Sequence, residues 1–353
     1  MSLKVLRKKI DNIDSRILKL LNSRAYVASQ IAKLKKKYGQ GIYSPDREIQ
    51  ILKRLKAKNK GILPAKAIEG IYREIMSSAL SIQHPLKIAY LGPPATFTHL
   101  AALKKFGSQI EYLACNGISD VFLEVEKDNA DYGVVPIENS IEGVVTHTLD
   151  MFVDSDLKIC AQILLDVSHN LLAGTSLGKI KRVYSNPQVF GQCRLWLQGN
   201  LSCVEKIEVS STTRAAQIAS KEKYSGCIAS ALAAQVYGLK IIASEIEDSP
   251  HNVTRFLVIG KKDVGRSGAD RTSIMFSIKD RVGALHDMLL PFKKYRINLT
   301  KIESRPSKKK AWDYYFFVDL EGHYKDSRVE KAIQELEDKC TYLKVLGSYP
   351  IGE

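Results

Sequence analysis

Apolar residues along the start of the chain recur every three or four positions, which is the spacing of one face of a helix. No glycine or proline interrupts this pattern before Gly39. It therefore predicts one helix over 3–37, about 50 Å long at 1.5 Å per residue. Two shorter helices are predicted over about 45–59 and 64–83. Three helices with so long a first member would bury their apolar faces best by pairing with a second copy of the chain.

From Lys87 onward, short apolar strands alternate with helical stretches, which favours an α/β fold with parallel sheets. The predicted strands are 87–91, 131–136, 158–165, 181–185, 203–209, 225–229, 240–243 and 254–260. The roughly 180 residues of this segment suffice for one large domain or for two lobes.

The last segment predicts strand, helix, strand, strand, helix and strand, and this βαββαβ order is the ferredoxin-like signature. The six elements are 271–279, 283–295, 297–305, 311–320, 327–340 and 342–348. A polar stretch with two glycines, 261–270, is the predicted linker. The expected domains are therefore 1–84, 86–261 and 271–353.

Charge is concentrated at the N-terminal end. The chain has 353 residues and a net charge of +15, and residues 1–80 carry 19 Lys and Arg against 6 Asp and Glu. A basic balance of this size first suggests nucleic acid, an acidic membrane surface or anionic substrates. One alternative is therefore a transcription regulator with a basic helical DNA-binding N-terminus and a ligand-sensing bilobal domain, although a helix-turn-helix needs shorter helices than the first one predicted here.

Other features narrow the class of protein. The sequence has no apolar run long enough for a signal peptide or a membrane span. Its six cysteines form no CxxC pair and have no nearby histidine at zinc spacing. It also lacks a G-x-G-x-x-G motif and a P-loop. We expect a cytoplasmic protein with reduced thiols, no metal site and no cofactor.

Cations interrupt the apolar stripe of the first helix. Arg24 and Lys35 are 11 residues apart, about 20° around the helix axis, so both point from its buried face. Burying unpaired cations is unfavourable, and each should therefore meet an anion. The alternative is that they are snorkelling side chains at the edge of a helical bundle. Arg7 lies roughly 100° away from Arg24 and would point to a different neighbour.

These cations belong to a wider pattern along the predicted helices. Its members are Arg7, Arg24, Lys35, Arg47, Glu48 and Gln83. Their types and spacing resemble those of the all-helical chorismate mutases, over about residues 3–84. The resemblance implies an intertwined homodimer in which the long helices cross, with Arg47 supporting the site. Ser44 departs from the pattern, since some members carry an acid there.

The resemblance also implies individual roles. Arg24 and Arg7 of the partner subunit would bind the two carboxylates of chorismate. Lys35 and Gln83 would face the ether oxygen, and Glu48 would bind the ring hydroxyl. Such residue types suit a Claisen rearrangement, which needs a folded substrate conformer and positive charge where the ether oxygen gains electrons.

One local arrangement recurs in the middle segment: a strand is followed by a loop rich in Ser, Thr or Asn and then by the start of a helix. Such loops present free backbone N–H groups that suit carboxylates or phosphates, although any single one is more often a simple N-cap. The candidate binding residues in these loops are Thr96, Thr98, Asn139, Ser140, Asn186, Gln188, Ser211 and Thr212.

With Thr254-Arg255-Phe256, these loops resemble the prephenate dehydratases over about residues 86–261. The resemblance implies two lobes, like bilobal periplasmic solute-binding proteins, with the substrate in the cleft. It implies that Thr254 is essential and that Arg255 and Phe256, which complete the motif, bind the substrate. A threonine hydroxyl is too weak an acid to ionise usefully, so Thr254 is expected to share its proton as a donor. Glu138 is a second candidate for proton handling; alternatively, it orients Asn139 or caps a helix.

The last segment resembles an ACT regulatory domain at two short motifs. They comprise Gly283, Ala284 and Leu285, and Glu303, Ser304, Arg305 and Pro306. In dehydratases these motifs accompany phenylalanine binding at a domain interface. Alternatively, the glycine only permits a tight turn and the proline only ends a strand.

The order of the three resemblances is that of the bifunctional chorismate mutase/prephenate dehydratases of phenylalanine biosynthesis. It implies a multidomain chain with an all-α mutase domain, an α/β bilobal dehydratase domain and an α+β ferredoxin-like ACT domain. The expected partners are chorismate, prephenate, L-phenylalanine as allosteric effector and a second copy, as a homodimer or dimer of dimers. No nucleic-acid or membrane partner is expected. A single-activity enzyme with a degenerate mutase segment is the other alternative.

Overall fold

The structure is a computed structural model that describes residues 2–38, 43–279, 281–307 and 314–351. No helix among these residues is long and apolar enough to cross a membrane. Four of the six cysteines are buried, and all six are free thiols.

Three helices form the N-terminal part of the chain, as the apolar pattern predicts. They are α1 (Leu3–Lys37), α2 (Pro45–Lys58) and α3 (Ala65–Gln83). Pro45 stands in the first turn of α2, where a backbone N–H is not needed. Within α1 only Ala32 is buried, so the apolar face of this helix is largely uncovered within one chain.

A first lobe follows, built on a six-stranded sheet. Its strands are β1 (Lys87–Leu91), β2 (Glu111–Cys115), β3 (Tyr132–Asn139), β4 (Gly143–Val144), β5 (Lys158–Asp166) and β11 (Val253–Gly260). Its helices are α4 (Phe97–Phe106), α5 (Ile118–Glu126) and α6 (Thr146–Asp154). The strand order is β2-β1-β3-β11-β5, with β4 paired to β3.

A second lobe is inserted between β5 and β11. Its strands are β6 (Asn170–Ala173), β7 (Arg182–Ser185), β8 (Glu205–Glu208), β9 (Ser225–Ala229) and β10 (Lys240–Ala243), in the order β10-β6-β9-β7-β8. Its helices are α7 (Pro187–Gln192), α8 (Arg194–Asn200), α9 (Thr212–Ala219) and α10 (Ala231–Tyr237). The chain therefore crosses between the lobes twice, after β5 and before β11.

The prediction of parallel sheets is only half right, because both sheets are mixed. In the first lobe β1 is parallel to β2 and β3, but β11 is antiparallel to both β3 and β5. In the second lobe β7 is parallel to β8 and β9, but β6 is antiparallel to β9 and β10. Apart from the short β4, which is antiparallel to β3, the strands that run against their neighbours are β6 and β11, which follow the two crossings between the lobes.

The C-terminal segment forms the expected βαββαβ unit. It consists of β12 (Asp270–Ser277), α11 (Ala284–Lys294), β13 (Leu299–Pro306), β14 (Tyr314–Glu321), α12 (Ser327–Glu337) and β15 (Tyr342–Pro350). All pairings are antiparallel, in the order β13-β14-β12-β15. One face of this sheet packs on α11 and α12.

The other face of the C-terminal sheet packs on the sheet of the first lobe. Ile137 and Leu257 from the first lobe share a core with Phe317 and Tyr349 from the C-terminal sheet. Gly347 lies against the backbone of β5, where a side chain would clash. The C-terminal domain therefore packs directly on one face of β11.

Candidate functional sites

The helical segment contains a cleft of about 600 Å³ between α1, α2 and α3. Five of the six residues singled out in the mutase-like pattern line it, namely Arg24, Lys35, Arg47, Glu48 and Gln83. They come from all three helices, so the fold brings together positions that are up to 59 residues apart in the sequence. Four cations line this cleft, since Arg54 joins Arg24, Lys35 and Arg47, and they provide the charge that a dianionic ligand needs.

Arg7 lies outside this cleft. It precedes Arg24 by 17 residues on the same helix, about 25 Å along the axis. It is exposed at the far end of α1. An Arg7 that serves such a cleft must therefore come from another copy of the chain.

Lys35 is held in the cleft by Ser44, the residue just before α2. Its Nζ donates a hydrogen bond of 2.6 Å to Ser44 Oγ. Burial lowers the pKa of Lys35, while the nearby charge of Asp46 opposes that shift. The Lys35 ammonium is thus half-buried, and it is directed by the neutral hydroxyl oxygen of Ser44. Some members of the mutase pattern carry an acid in place of Ser44.

Thr254 and Asn139 lie side by side on neighbouring strands of the first lobe. They are opposite each other in the β11–β3 ladder, and Asn139 Nδ2 donates to Thr254 Oγ1 at 2.8 Å. The other Nδ2 hydrogen goes to Asn252 Oδ1, while Asn139 Oδ1 accepts from the backbone N–H groups of Ile141 and Glu142. Because those two backbone donors fix the amide orientation, Thr254 accepts this bond and its own hydrogen can be donated to a third group.

A chain of hydrogen bonds leads from Thr254 towards the second lobe. Asn252 Nδ2 donates to Gln192 Oε1 at 3.4 Å, and His169 Nε2 lies 2.8 Å from the same oxygen. Burial lowers the pKa of His169, which favours the neutral ring. Asn252, Gln192 and His169 were not singled out from the sequence, because isolated polar residues of these types are ordinary there.

The predicted loop residues mostly bond to their own loops. Thr96, Asn186 and Ser211 each accept a backbone N–H at the start of α4, α7 and α9, as N-caps do. Ser140 ties the end of β3 to the residues before Thr254 through His251 and Val253. Thr98 is buried, Thr212 is half-buried and Gln188 is exposed.

The loop before α4 also reaches across to the second lobe. Ala95 has a positive φ of 73° and is buried among second-lobe residues. Its carbonyl accepts a hydrogen bond of 3.0 Å from Ser230 Oγ, which also caps α10. Ser230 follows β9 as the other capping residues follow their strands, so the same pattern would have found it.

Arg255 points away from Thr254, to the opposite face of β11. It is 6% exposed and ion-paired with Glu138 at 2.8 Å and with Asp319 of β14 at 2.7 Å. Its Nη2 also donates to the Tyr349 hydroxyl at 2.7 Å. Burial opposes the charge, but Tyr349, Asp319 and Glu138 raise the pKa of Arg255 above its usual range. The expectation that Arg255 contacts substrate is therefore not supported, since it joins the first lobe to the C-terminal sheet.

The structure also changes the expectations for Glu138 and Phe256. Glu138 shares the Arg255 face, where Lys301 also contacts it. Burial raises the pKa of Glu138, but its bonds to Lys301 and Arg255 more than offset this and hold that pKa below its usual value. Ionised Glu138 has no proton to donate at neutral pH. Phe256 is 2% exposed within the core under α4, so it supports the strand rather than lining a cleft.

The first of the two C-terminal motifs lines a second open cavity, of about 370 Å³. Gly283, with φ of 78°, is the N-cap of α11, and Ala284 and Leu285 lie in its first turn. Tyr314 and Phe316 of β14 complete the apolar side of this cavity. This cavity is open to solvent in a single chain.

The second C-terminal motif lies on the edge strand β13 and does not line that cavity. Ser304 is directly opposite Phe316 in the ladder, whereas Arg305 contacts Asp150 of α6 at 3.4 Å. Glu303 is half-buried and Pro306 is exposed at the strand end. The alternation of a strand thus sends neighbouring motif residues to different faces.

Comparison with known proteins covers all three parts of the chain. Family models match in the order Chorismate mutase type II at 6–84, Prephenate dehydratase at 88–264 and ACT domain at 272–338. The bifunctional chorismate mutase/prephenate dehydratase of Aquifex aeolicus is 53% identical over 353 residues, which is 99% of this chain and 98% of that protein. The Escherichia coli K12 protein of the same name is 30% identical, covering 98% and 95%.

Solved structures agree over the last two parts. A prephenate dehydratase from Arthrobacter aurescens, solved in complex with L-Phe, has a TM-score of 0.70 and 33% identity, covering 75% of this chain and 90% of that one. The Staphylococcus aureus enzyme has a TM-score of 0.66 and 30% identity, covering 75% of this chain and all of that one.

The helical cleft, the bilobal α/β part and the ACT-type unit define a multidomain enzyme of aromatic amino acid biosynthesis. The chain belongs to the bifunctional chorismate mutase/prephenate dehydratases. It is an isomerase that converts chorismate to prephenate and a lyase that converts prephenate to phenylpyruvate, with an ACT regulatory domain. The alternative of a transcription regulator finds no support in these matches.

Proposed function

We propose that the cleft between α1, α2 and α3 is the mutase active site, built from two copies of the chain. The convergence of Arg24, Lys35, Arg47, Glu48 and Gln83 on one cleft of about 600 Å³ carries this proposal. Arg24 and Arg7 of the partner subunit would bind the two carboxylates of chorismate. Lys35 and Gln83 would stabilise the negative charge that develops on the ether oxygen, and Glu48 would accept a hydrogen bond from the ring hydroxyl.

The exposed apolar face of α1 supports a homodimer, or a dimer of dimers. Ile10, Ile13 and Ile17 are each about half exposed in the single chain. Burying such a stripe along a 35-residue helix against a second copy is the expected result of the hydrophobic effect. The same pairing would bring Arg7 to the cleft of the other subunit.

We propose that Thr254 donates a hydrogen bond to the ring hydroxyl of prephenate as that group departs as hydroxide, which solvent then protonates to water. The hydrogen bond from Asn139 supports this role, because it leaves the hydroxyl hydrogen of Thr254 for the leaving group. Aromatisation and the loss of carbon dioxide would drive the reaction, so no ionised nucleophile is required. The helix starts at Thr96, Asn186 and Ser211 would help to hold the substrate carboxylates.

We propose that L-phenylalanine inhibits the enzyme from the ACT domain. The support is the cavity at Gly283, Ala284 and Leu285, together with the L-Phe complex of the Arthrobacter aurescens dehydratase. Because that cavity is open in one chain, a second ACT domain would close it. Coupling between distinct sites is reciprocal, so substrate should also weaken phenylalanine binding.

Two variants test the separation of the active sites. Arg24→Ala should lose turnover of chorismate but keep dehydration of added prephenate, whereas Thr254→Val should do the reverse. Both activities would be followed on the full chain, by chorismate loss and by phenylpyruvate formation. If Arg24→Ala still turned over chorismate normally, the mutase assignment would be wrong. The domain limits 1–84, 86–261 and 271–353, and a cytoplasmic location, remain predictions.

A further inference from the structure

One contact joins the proposed mutase site to the dehydratase part of the chain. Glu48 of α2 accepts a hydrogen bond from Lys105 Nζ of α4, with 3.1 Å between Nζ and Oε2. The two side chains are only 15% and 18% exposed. Glu48 lies on the wall between the large cleft and a smaller cavity of about 140 Å³, and Lys105 lines the smaller one.

We propose that Lys105 is a positioning residue of the mutase, supplied by the dehydratase domain. A carboxylate with so little exposure is unfavourable unless a cation and hydrogen bonds compensate it. Lys105 provides both from the side of the smaller cavity and fixes one carboxylate oxygen. The other oxygen would accept a bond from the ring hydroxyl of chorismate. This inference rests on the proposed role of Glu48.

The surrounding interface holds Lys105 in place. Tyr43, just before α2, is 5% exposed and packs on Phe106 and Tyr132, with ring centroids 5.1 Å apart in both pairs. Lys105 Nζ lies 5.7 Å from the centre of the Tyr43 ring. An ammonium confined between an aromatic ring and a carboxylate has few other positions available.

Helix α3 also contacts the dehydratase domain, at the loop that follows α4. Ser77 Oγ accepts a hydrogen bond of 3.2 Å from the backbone N–H of Gln109, and Glu74 accepts one of 2.7 Å from the Ser108 hydroxyl. Gly107 approaches Ser77 so closely that a Cβ would meet its side chain at 2.6 Å. The Lys105–Glu48 contact is therefore part of an ordered junction between the two domains.

The experiment compares Lys105→Met with Lys104→Met in the full-length protein. Lys104 is the preceding residue on α4, lines the same smaller cavity and donates to the Leu164 carbonyl at 2.7 Å. Lys105→Met should raise KM for chorismate roughly tenfold, with a smaller change in kcat. Lys104→Met should leave that KM within about twofold, and Lys105→Arg should restore much of the loss. Dehydration of added prephenate should stay normal in all three, which also shows that they fold.

A double variant separates this inference from the site assignment. If Lys105 acts through Glu48, Lys105→Met should add nothing to the KM of Glu48→Gln. A KM unchanged in Lys105→Met, or raised equally in Lys104→Met, would overturn the positioning role while leaving the mutase site intact. A normal KM in Glu48→Gln would instead overturn the proposed role of Glu48 and this inference with it.

Discussion

The buried ion pair between Arg255 and Asp319 gives the sharpest prediction for stability. Replacing Asp319 by alanine removes a carboxylate that is about 10% exposed and bridges the first lobe to the ACT sheet. The change leaves Arg255 charged and buried, with Glu138 as its remaining anion. Ser273 Oγ also loses its acceptor, because it donates to Asp319 Oδ1.

The expected magnitude follows from these contacts. Removing one partner of a buried ion pair typically destabilises a protein by about 3–5 kcal/mol. Because Glu138 still pairs with Arg255, we expect the lower end, about 3 kcal/mol. For a cooperative unit of this size that corresponds to a melting midpoint lower by roughly 6–12 °C. Asp319→Asn, which keeps the shape and can still accept from Ser273, should lose less.

Differential scanning calorimetry of the full-length protein measures this shift. A suitable control is Glu335→Ala, which removes an exposed ion pair with Lys294 on the outer face of the same domain and should leave the midpoint almost unchanged. Asp319→Ala should also lower dehydratase kcat, because Arg255 adjoins Thr254, while chorismate turnover stays normal. An Asp319→Ala protein with the same melting midpoint as the wild type would refute the reasoning.

Three further predictions concern the two active sites and the effector cavity. Burial lowers the pKa of Lys35 below its usual 10.5, and the ammonium is the active form. Mutase kcat/KM should therefore fall as the pH rises through that lowered pKa. A flat profile up to pH 10 would contradict this. Ile13→Glu places a charge on the exposed apolar stripe of α1. It should shift the protein towards monomer in analytical ultracentrifugation and reduce chorismate turnover by at least tenfold. An unchanged sedimentation coefficient would argue against the α1 interface. Ala284→Glu should relieve inhibition by L-phenylalanine without changing uninhibited prephenate turnover, and persistence of inhibition at the same concentration would place the effector elsewhere.

Local pattern was sufficient for the helices and for most strands. The three-four spacing of apolar residues in α1 and the strand–helix order of the last segment follow from short-range periodicity, and both are confirmed. Three strands were missed for identifiable reasons. β2 is a largely exposed edge strand, β4 has two residues, and β6 has four residues that are all buried, so none shows a clear alternation.

Strand direction and cross-domain contacts could not be read from the sequence. Whether β11 runs parallel or antiparallel depends on the chain returning from the second lobe, which is a property of the tertiary path. Lys105, Lys301 and Asp319 reach their partners over 57, 163 and 64 residues, and surface-type charges carry no local sign of such pairing. The Thr254-Arg255 motif was visible, but only the two-residue period of a strand separates its members onto two faces.

One measurement tests the central claim most directly, that a single chain performs both reactions. Chorismate alone would be supplied to the purified protein, and chorismate, prephenate and phenylpyruvate would be followed together over time. We predict that chorismate declines, that prephenate rises and then falls, and that phenylpyruvate accumulates in equal amount. Chorismate that persists would contradict the mutase half of the account, and prephenate that accumulates without phenylpyruvate would contradict the dehydratase half.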